Sequence, residues 1–303
     1  HSGVESEDAL DVLFKLDRQI ARLEKAARQA PRPYHTVLLS DHGQSGGATF
    51  KQRYGLGLEE LVQQLATDRF RVQGGAEVHE DWKHVNVFLT ETLQHERKKV
   101  SGPIRRLLRK RTRNSRVALG PEGQQADMTQ VEDVTSHIVV LASGNLGLIY
   151  SAWLDKRASL EQIEAVYPGL LDGLAQHEGI GFVMVHSQAH GPVVIGARGR
   201  SYLAKGCVEG EDPLAVFGPN AAVHLRRTDL FADAPDILVS SFYDPKTGEV
   251  AAFEGLIGSH GGLGGWQTLP FLMFPGDLPA PEEPIVGAAR LHTVLKRWAG
   301  GPA

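Results

Sequence analysis

Residues 36 to 43 read T-V-L-L-S-D-H-G. A short apolar run that stops at a glycine has the pattern of a buried strand. Ser40, Asp41, His42 and Gly43 then fall on the loop at its carboxyl end, where open α/β sheets bind their ligands. A carboxylate next to an imidazole at such a place has two readings. Asp41 caps a nearby backbone turn and His42 is merely its neighbour, or the pair holds a divalent ion. A hard carboxylate beside a borderline imidazole suits Zn²⁺ or Mn²⁺ better than Ca²⁺.

On the amino-terminal side, Leu13, Leu16, Ile20, Leu23 and Ala27 recur at intervals of three and four. The spacing predicts an amphipathic helix from residue 5 to about 29, opened by Ser6 and Asp8 and ended by Pro31 and Pro33. On the other side, glycines 46, 47, 55 and 57 keep the chain irregular before a helix over 57–68. Residues 78–135 are polar and read as a peripheral insertion. From 136, S-H-I-V-V-L-A-S-G-N-L-G-L-I-Y predicts two strands around Ser143-Gly144-Asn145. A helix over 159–176, interrupted at Pro168, and a hairpin of strands at 181–187 and 192–197 follow. Then come a helix over 220–229, strands at 236–244 and 249–254 around a Pro-Lys-Thr-Gly turn, and a closing helix over 284–298. Alternating helices and strands argue for the α/β class, and 1–303 reads as one domain.

The bulk numbers set outer limits. The chain has 303 residues, 42% of them hydrophobic and 22% charged, enough for a sizeable core. A net charge of −4 gives no global attraction to nucleic acid. Cys207 is the single cysteine, so an internal disulfide framework and a cysteine-based zinc site are excluded. No apolar run reaches the 18 residues expected of a membrane-spanning helix, and the domain as given is expected to be soluble. The opening H-S-G-V-E-S-E-D has neither an initiator methionine nor a signal peptide, and is expected to be the middle of a longer reading frame.

A second loop, G-S-H-G-G-L-G-G-W-Q-T at 258–268, sets His260 among five glycines. Such a loop lets backbone approach a metal or phosphate closely; read blandly, it is a tight turn whose histidine is incidental. Taken together the two loops resemble the alkaline phosphatase superfamily, in its type I phosphodiesterase/nucleotide pyrophosphatase branch. Within that branch the chain is most similar to the alkaline-phosphatase-family membrane proteins of actinobacteria. The similarity runs through S-D-H-G-Q-S-G-G-A-T-F, V-V-L-A-S-G-N-L, G-L-L-D-G-L-A-Q-H-E-G-I-G-F, G-E-D-P-L and F-E-G-L-I-G-S-H-G-G-L-G-G-W-Q-T, which covers most of residues 36 to 275.

The resemblance implies an α/β fold whose central, mostly parallel sheet carries helices on both faces. It implies two-metal phosphoryl transfer on a small phosphate-ester or nucleotide-like substrate, diester preferred, with two divalent ions, Zn²⁺ or Mn²⁺. Asp41 and His42 match the pair on the metal that holds the nucleophile, and His260 matches the last ligand on the other metal. The family also has an Asp and a nucleophilic Thr or Ser early in its domain, and a D-x-x-x-H pair before the helix that precedes S-D-H-G. Nothing here occupies those places. Gly3 sets the D-x-x-x-H histidine one residue before His1, which makes His1 the ligand's neighbour or, under a shifted spacing, the ligand itself, and Ser45 and Thr49 do not fall in the nucleophile's position. The expectation is a carboxyl-terminal fragment, inactive by itself, of a membrane-attached hydrolase.

Ten of the twenty residues from Arg97 to Arg116 are Lys or Arg. Around Arg105–Arg116, Ile104, Leu107 and Leu108 share one face, which reads as a solvated basic helix or as a dock for anionic lipid headgroups. No aromatic residues interleave for base stacking, so specific nucleic-acid binding is not expected. His137, His177, His186 and His190 read as core or surface histidines, and Asn145 either meets substrate or, on the favoured reading, makes a turn. Trp266 either lines a substrate pocket or covers the sheet. From another class comes a second reading: a catalytically dead remnant, or a module that binds a membrane or partner through its basic surface.

Overall fold

The computed structural model describes residues 3–66, 71–74, 112–113, 116–117, 137–152, 154 and 156–300. The expected basic insertion at 78–135, including Arg105–Arg116, lies outside the described residues except for two short strands, β4 (Thr112–Arg113) and β5 (Arg116–Val117), paired antiparallel.

Helix α1 (Glu7–Arg28) begins where the Ser6 hydroxyl accepts from the Ala9 amide. Strands β1 (Leu38–Leu39) and β2 (Ser45–Gly46) follow, then helices α2 (Phe50–Tyr54) and α3 (Leu58–Leu65). Thr49 opens α2 through a reciprocal pair of bonds with Gln52. The central sheet is built from β3 (Arg71–Gly74), β6 (His137–Ser143), β7 (Leu146–Ser151), β8 (Ile180–Ser187), β9 (Gly191–Gly196), β10 (Gly199–Tyr202), β11 (Cys207–Gly210) and β12 (Ile237–Ser241). Helices α4 (Leu160–Val166) and α5 (Leu170–Gln176) precede β8, and α6 (Ala221–Asp229) precedes β12. Beyond the sheet lie β13 (Tyr243–Asp244), β14 (Glu249–Val250), β15 (Gly258–Ser259), β16 (Leu272–Met273) and helix α7 (Ala288–Trp298).

The fold is mixed α/β, as the alternation of elements predicts, but the central sheet is not mostly parallel. Its order is β11-β10-β9-β8-β12-β7-β6-β3, and every adjacent pair is antiparallel except β3 with β6. The connections decide this. The turn from β6 to β7 is made at Gly144 (φ +56°), and the turn from β8 to β9 ends at Gly191 (φ +67°). Links this short join antiparallel neighbours, because a parallel crossover needs a dozen residues or more.

The strands still read as continuous apolar runs because both faces of the sheet are covered. Val183, Val185, Val193, Ile195, Ile237 and Val239 pack toward one core with Phe50, Leu58, Val62, Ile163, Leu170 and Leu174 from α2 to α5. Their sequence neighbours Phe182, Met184, Val194 and Leu238 point the other way, into a second core with Leu214, Phe217, Ala221 and Leu225. Alternate residues of one strand thus serve opposite cores, which is the pattern of a three-layer architecture.

The second correction concerns residues 36–39. β1 is two residues long, pairs only with β16 in a separate ribbon, and leaves Leu39 44% exposed. It is not a buried strand of the main sheet. Among the described residues, no helix is long and apolar enough to cross a membrane.

Candidate metal centre

The S-D-H-G and S-H-G-G loops come from opposite ends of the chain, and a two-residue ladder joins them. Ser45 pairs with Ser259 and Gly46 with Gly258, antiparallel. The Ser45 hydroxyl donates to the Gly264 carbonyl (3.1 Å) and accepts from the Gln267 amide (3.2 Å), so one side chain stitches the first loop to the end of the second. The Gly43 amide donates to the Gln267 carbonyl at 3.1 Å. A Cβ on Gly43 would lie 1.9 Å from the Trp266 carbonyl oxygen, so only glycine permits this approach.

Beneath the loops lies the turn between β6 and β7. Asn145 is fully buried; it donates to the Leu263 carbonyl (3.0 Å) and accepts from the Gln267 amide group (3.0 Å). The same Gln267 amide nitrogen reaches the Gly264 carbonyl at 2.8 Å, and its oxygen accepts from the Gly262 amide at 3.2 Å. The Gly144 amide donates to the Glu254 carboxylate at 2.6 Å, and the Gly144 carbonyl accepts from Phe253 at 2.8 Å. The central sheet thereby holds the glycine-rich loop in place through a buried polar network.

The result of this scaffolding is that His42 and His260 meet. Their rings are stacked, centroids 4.0 Å apart and 17° from parallel. His42 Nδ1 lies 2.7 Å from the Gly43 carbonyl, which fixes the tautomer with the proton on Nδ1. That leaves the Nε2 lone pair for a ligand, and Asp41 Oδ1 lies 3.6 Å from it. A metal-binding histidine characteristically donates its other ring N–H to a carbonyl or carboxylate in this way. Asp41 also accepts from the His42 amide at 3.0 Å, so the turn-capping role of Asp41 is present alongside the convergence. Its side chain is 88% exposed and open to an incoming ion.

The donor chemistry fits a divalent cation, but the set is short. Among the described residues, no three His, Cys, Asp or Glu side chains are grouped to hold one ion. Ser45 and Thr49 are both buried and both occupied, Ser45 within the network and Thr49 as the cap of α2, so neither serves as a nucleophile. The Ser259 hydroxyl, next to His260, is buried without a hydrogen-bond partner.

Sequence reasoning missed Gln267, which does the most to bind the two loops, and took Asn145 for a simple turn residue. A polar residue near the end of a glycine-rich loop, and an asparagine between two apolar strands, were the available signals. Two other described histidines stand apart. His177 stacks on Phe50 and accepts from the Gly179 amide, and His186 binds the buried Asp229 carboxylate at the far end of β8. The chain matches no protein-family model, no curated protein and no solved structure. The likeness to the phosphodiesterase branch therefore rests on the quoted motifs.

Proposed function

We propose that this chain carries part of the metal centre of a phosphate-ester hydrolase of phosphodiesterase type, acting on a small phosphodiester or nucleotide-like substrate. Asp41 and His42 hold one divalent ion, Zn²⁺ or Mn²⁺, and His260 contributes to a second. The observation that carries this reading is the meeting of His42 and His260. Two-metal hydrolytic sites space their ions about 3.5–4 Å apart, and two nearly parallel imidazoles at 4.0 Å suit a pair of ions at that separation. A packing role accounts less well for a ring whose tautomer is fixed with its free nitrogen beside an exposed carboxylate.

Ions bound there would supply charge stabilisation to phosphoryl oxygens. The chain's own residues do the rest of what is assigned here. Gly43 fixes the His42 tautomer, and the Ser45–Gln267–Asn145 network sets the distance between the loops. Among the described residues, the Ser45 and Thr49 hydroxyls are engaged in hydrogen bonds and the Ser259 hydroxyl is buried away from solvent, so the chain alone is expected to bind metal without turnover.

The test is titration calorimetry of Zn²⁺ and Mn²⁺ into the wild type and into Asp41→Ala and His260→Ala. Each substitution is expected to weaken binding about tenfold or more. Equal affinity in all three proteins, or no binding in any, sinks the metal assignment. Hydrolysis of a nitrophenyl phosphodiester by the chain alone, at a metal-dependent rate, would overturn the expectation of inactivity.

A further inference from the structure

Helix α1 buries none of its residues, although it is 22 residues long. Leu13, Leu16 and Leu23 are 58%, 53% and 66% exposed. Helices in proteins draw most of their stability from packing an amphipathic face, so the apolar side of α1 calls for a cover. The spacing of that side identifies the kind of cover. From Leu13 through Leu16, Ile20 and Leu23 to Ala27 the steps are three, four, three and four, a period of 3.5 and not 3.6. That is the repeat of a coiled-coil seam. With Leu13 and Ile20 at a, Leu16 and Leu23 fall at d. Ile at a flanked by Leu at d is the arrangement that favours two parallel strands.

We infer that α1 pairs in parallel and in register with α1 of a second copy of this chain. The flanking charges select this occupant. The e positions are Leu10, Asp17 and Glu24, and the g positions are Val12, Gln19 and Ala26. In a parallel pair, g faces the following e, so Gln19 meets Glu24 of the partner subunit and no like charges oppose each other. In an antiparallel pair e faces e, which sets Asp17 and Glu24 against one another. A membrane surface fits less well. The helix carries five acidic and five basic residues, and Asp17 and Glu24, not Lys or Arg, border the apolar stripe. At its carboxyl end the stripe closes on the chain itself, where Ala27 and Ala30 lie alongside Pro31, Tyr34 and Pro275. The stretch left for a partner runs from Leu13 to Leu23. This inference is independent of the metal-centre reading.

Sedimentation equilibrium of the full chain is expected to show a species of twice 32.9 kDa. Leu16→Glu should raise its dissociation constant about 100-fold or more, while Arg18→Glu, on the outer face, should leave it unchanged. Leu16 is exposed, so the substitution spares the folded body, and circular dichroism checks this. In a Cys207→Ser background, Leu16→Cys should cross-link to itself under mild oxidation, because d faces d in the parallel register. A monomer at all concentrations overturns the inference, as does a dimer that Leu16→Glu leaves intact. A dimer that Leu16→Glu dissociates but that does not cross-link through residue 16 overturns the parallel register.

Discussion

At the scale of single residues, the candidate centre depends on positions that touch no ion. Gly144 sits at φ +56°, and a Cβ there would lie 2.1 Å from the His260 carbonyl oxygen. Gly144→Ala should therefore strain the turn and push the His260 loop away, destabilising the fold by about 1–3 kcal/mol. Urea denaturation would measure the loss, and metal affinity should fall with it. Gln267 is the other such residue. Gln267→Leu keeps the volume but leaves the Asn145 side-chain oxygen without its donor and the Gly262 amide without its acceptor. Each orphaned group costs about 1–3 kcal/mol, so the midpoint should drop by more than Gly144→Ala produces. A stable Gln267→Leu protein with unchanged metal binding would show that the network does not position the histidines. Asp41, His42 and His260 were legible in the sequence because glycines mark the loops that carry them. Gln267 was not, because a polar residue beside a glycine-rich loop does not reveal the four partners its buried amide serves.

At the scale of elements, the stretch at 36–39 shows how an apolar run misleads. Periodicity reports that a segment is apolar; it does not report which sheet receives it. The run pairs with Leu272–Met273 in an exposed ribbon, while the main sheet takes β3 and strands from 137 onward. The break at Pro168 and the hairpin around Gly191 were legible because proline and glycine act through local geometry alone. Another contact between elements was invisible. The Glu161 carboxylate, in the first turn of α4, accepts from the Ser187 hydroxyl (2.7 Å) and the Gln188 amide (3.1 Å) at the end of β8. Burial alone would raise its pKa, but these hydrogen bonds outweigh it and hold the carboxyl at about 2. The unfolded chain protonates Glu161 nearer 4.5. Between those values the unfolded state binds more protons, so this stabilisation is complete above pH 4.5 and fades as pH falls toward 2. Glu161→Gln should thus lose stability relative to wild type at pH 6, and the gap should narrow by pH 3. A gap of constant size across that range would show that the carboxylate's charge is not what the contact uses.

At the scale of the whole molecule, the α/β class was legible and the direction of the strands was not. Covered on both faces, antiparallel strands acquire the unbroken apolar sequence that usually marks parallel ones, and only the shortness of the connections tells them apart. The sheet also separates two polar centres. At the carboxyl end of β8, Asp229 is buried between Arg157 (2.7 Å) and His186 (3.0 Å). The His42–His260 pair lies beyond the opposite end, where the Gly179 carbonyl accepts from Phe242 and the Asn145 carbonyl from Ser241. Eight residues of strand put about 25 Å between these ends, so their energies should add independently. Asp229→Ala strands the Arg157 guanidinium, four-fifths buried, without its counter-charge. That change should cost about 3–5 kcal/mol and lower Tm markedly. Saturating Zn²⁺ at about 100 times its Kd should still raise Tm by the equivalent of about 2.7 kcal/mol, in this variant as in wild type. His42→Ala should do the reverse, leaving the metal-free Tm nearly unchanged and abolishing the shift. If Asp229→Ala abolished the Zn²⁺ shift as well, the ion would be binding at His186, and the S-D-H-G and S-H-G-G loops would lose their role.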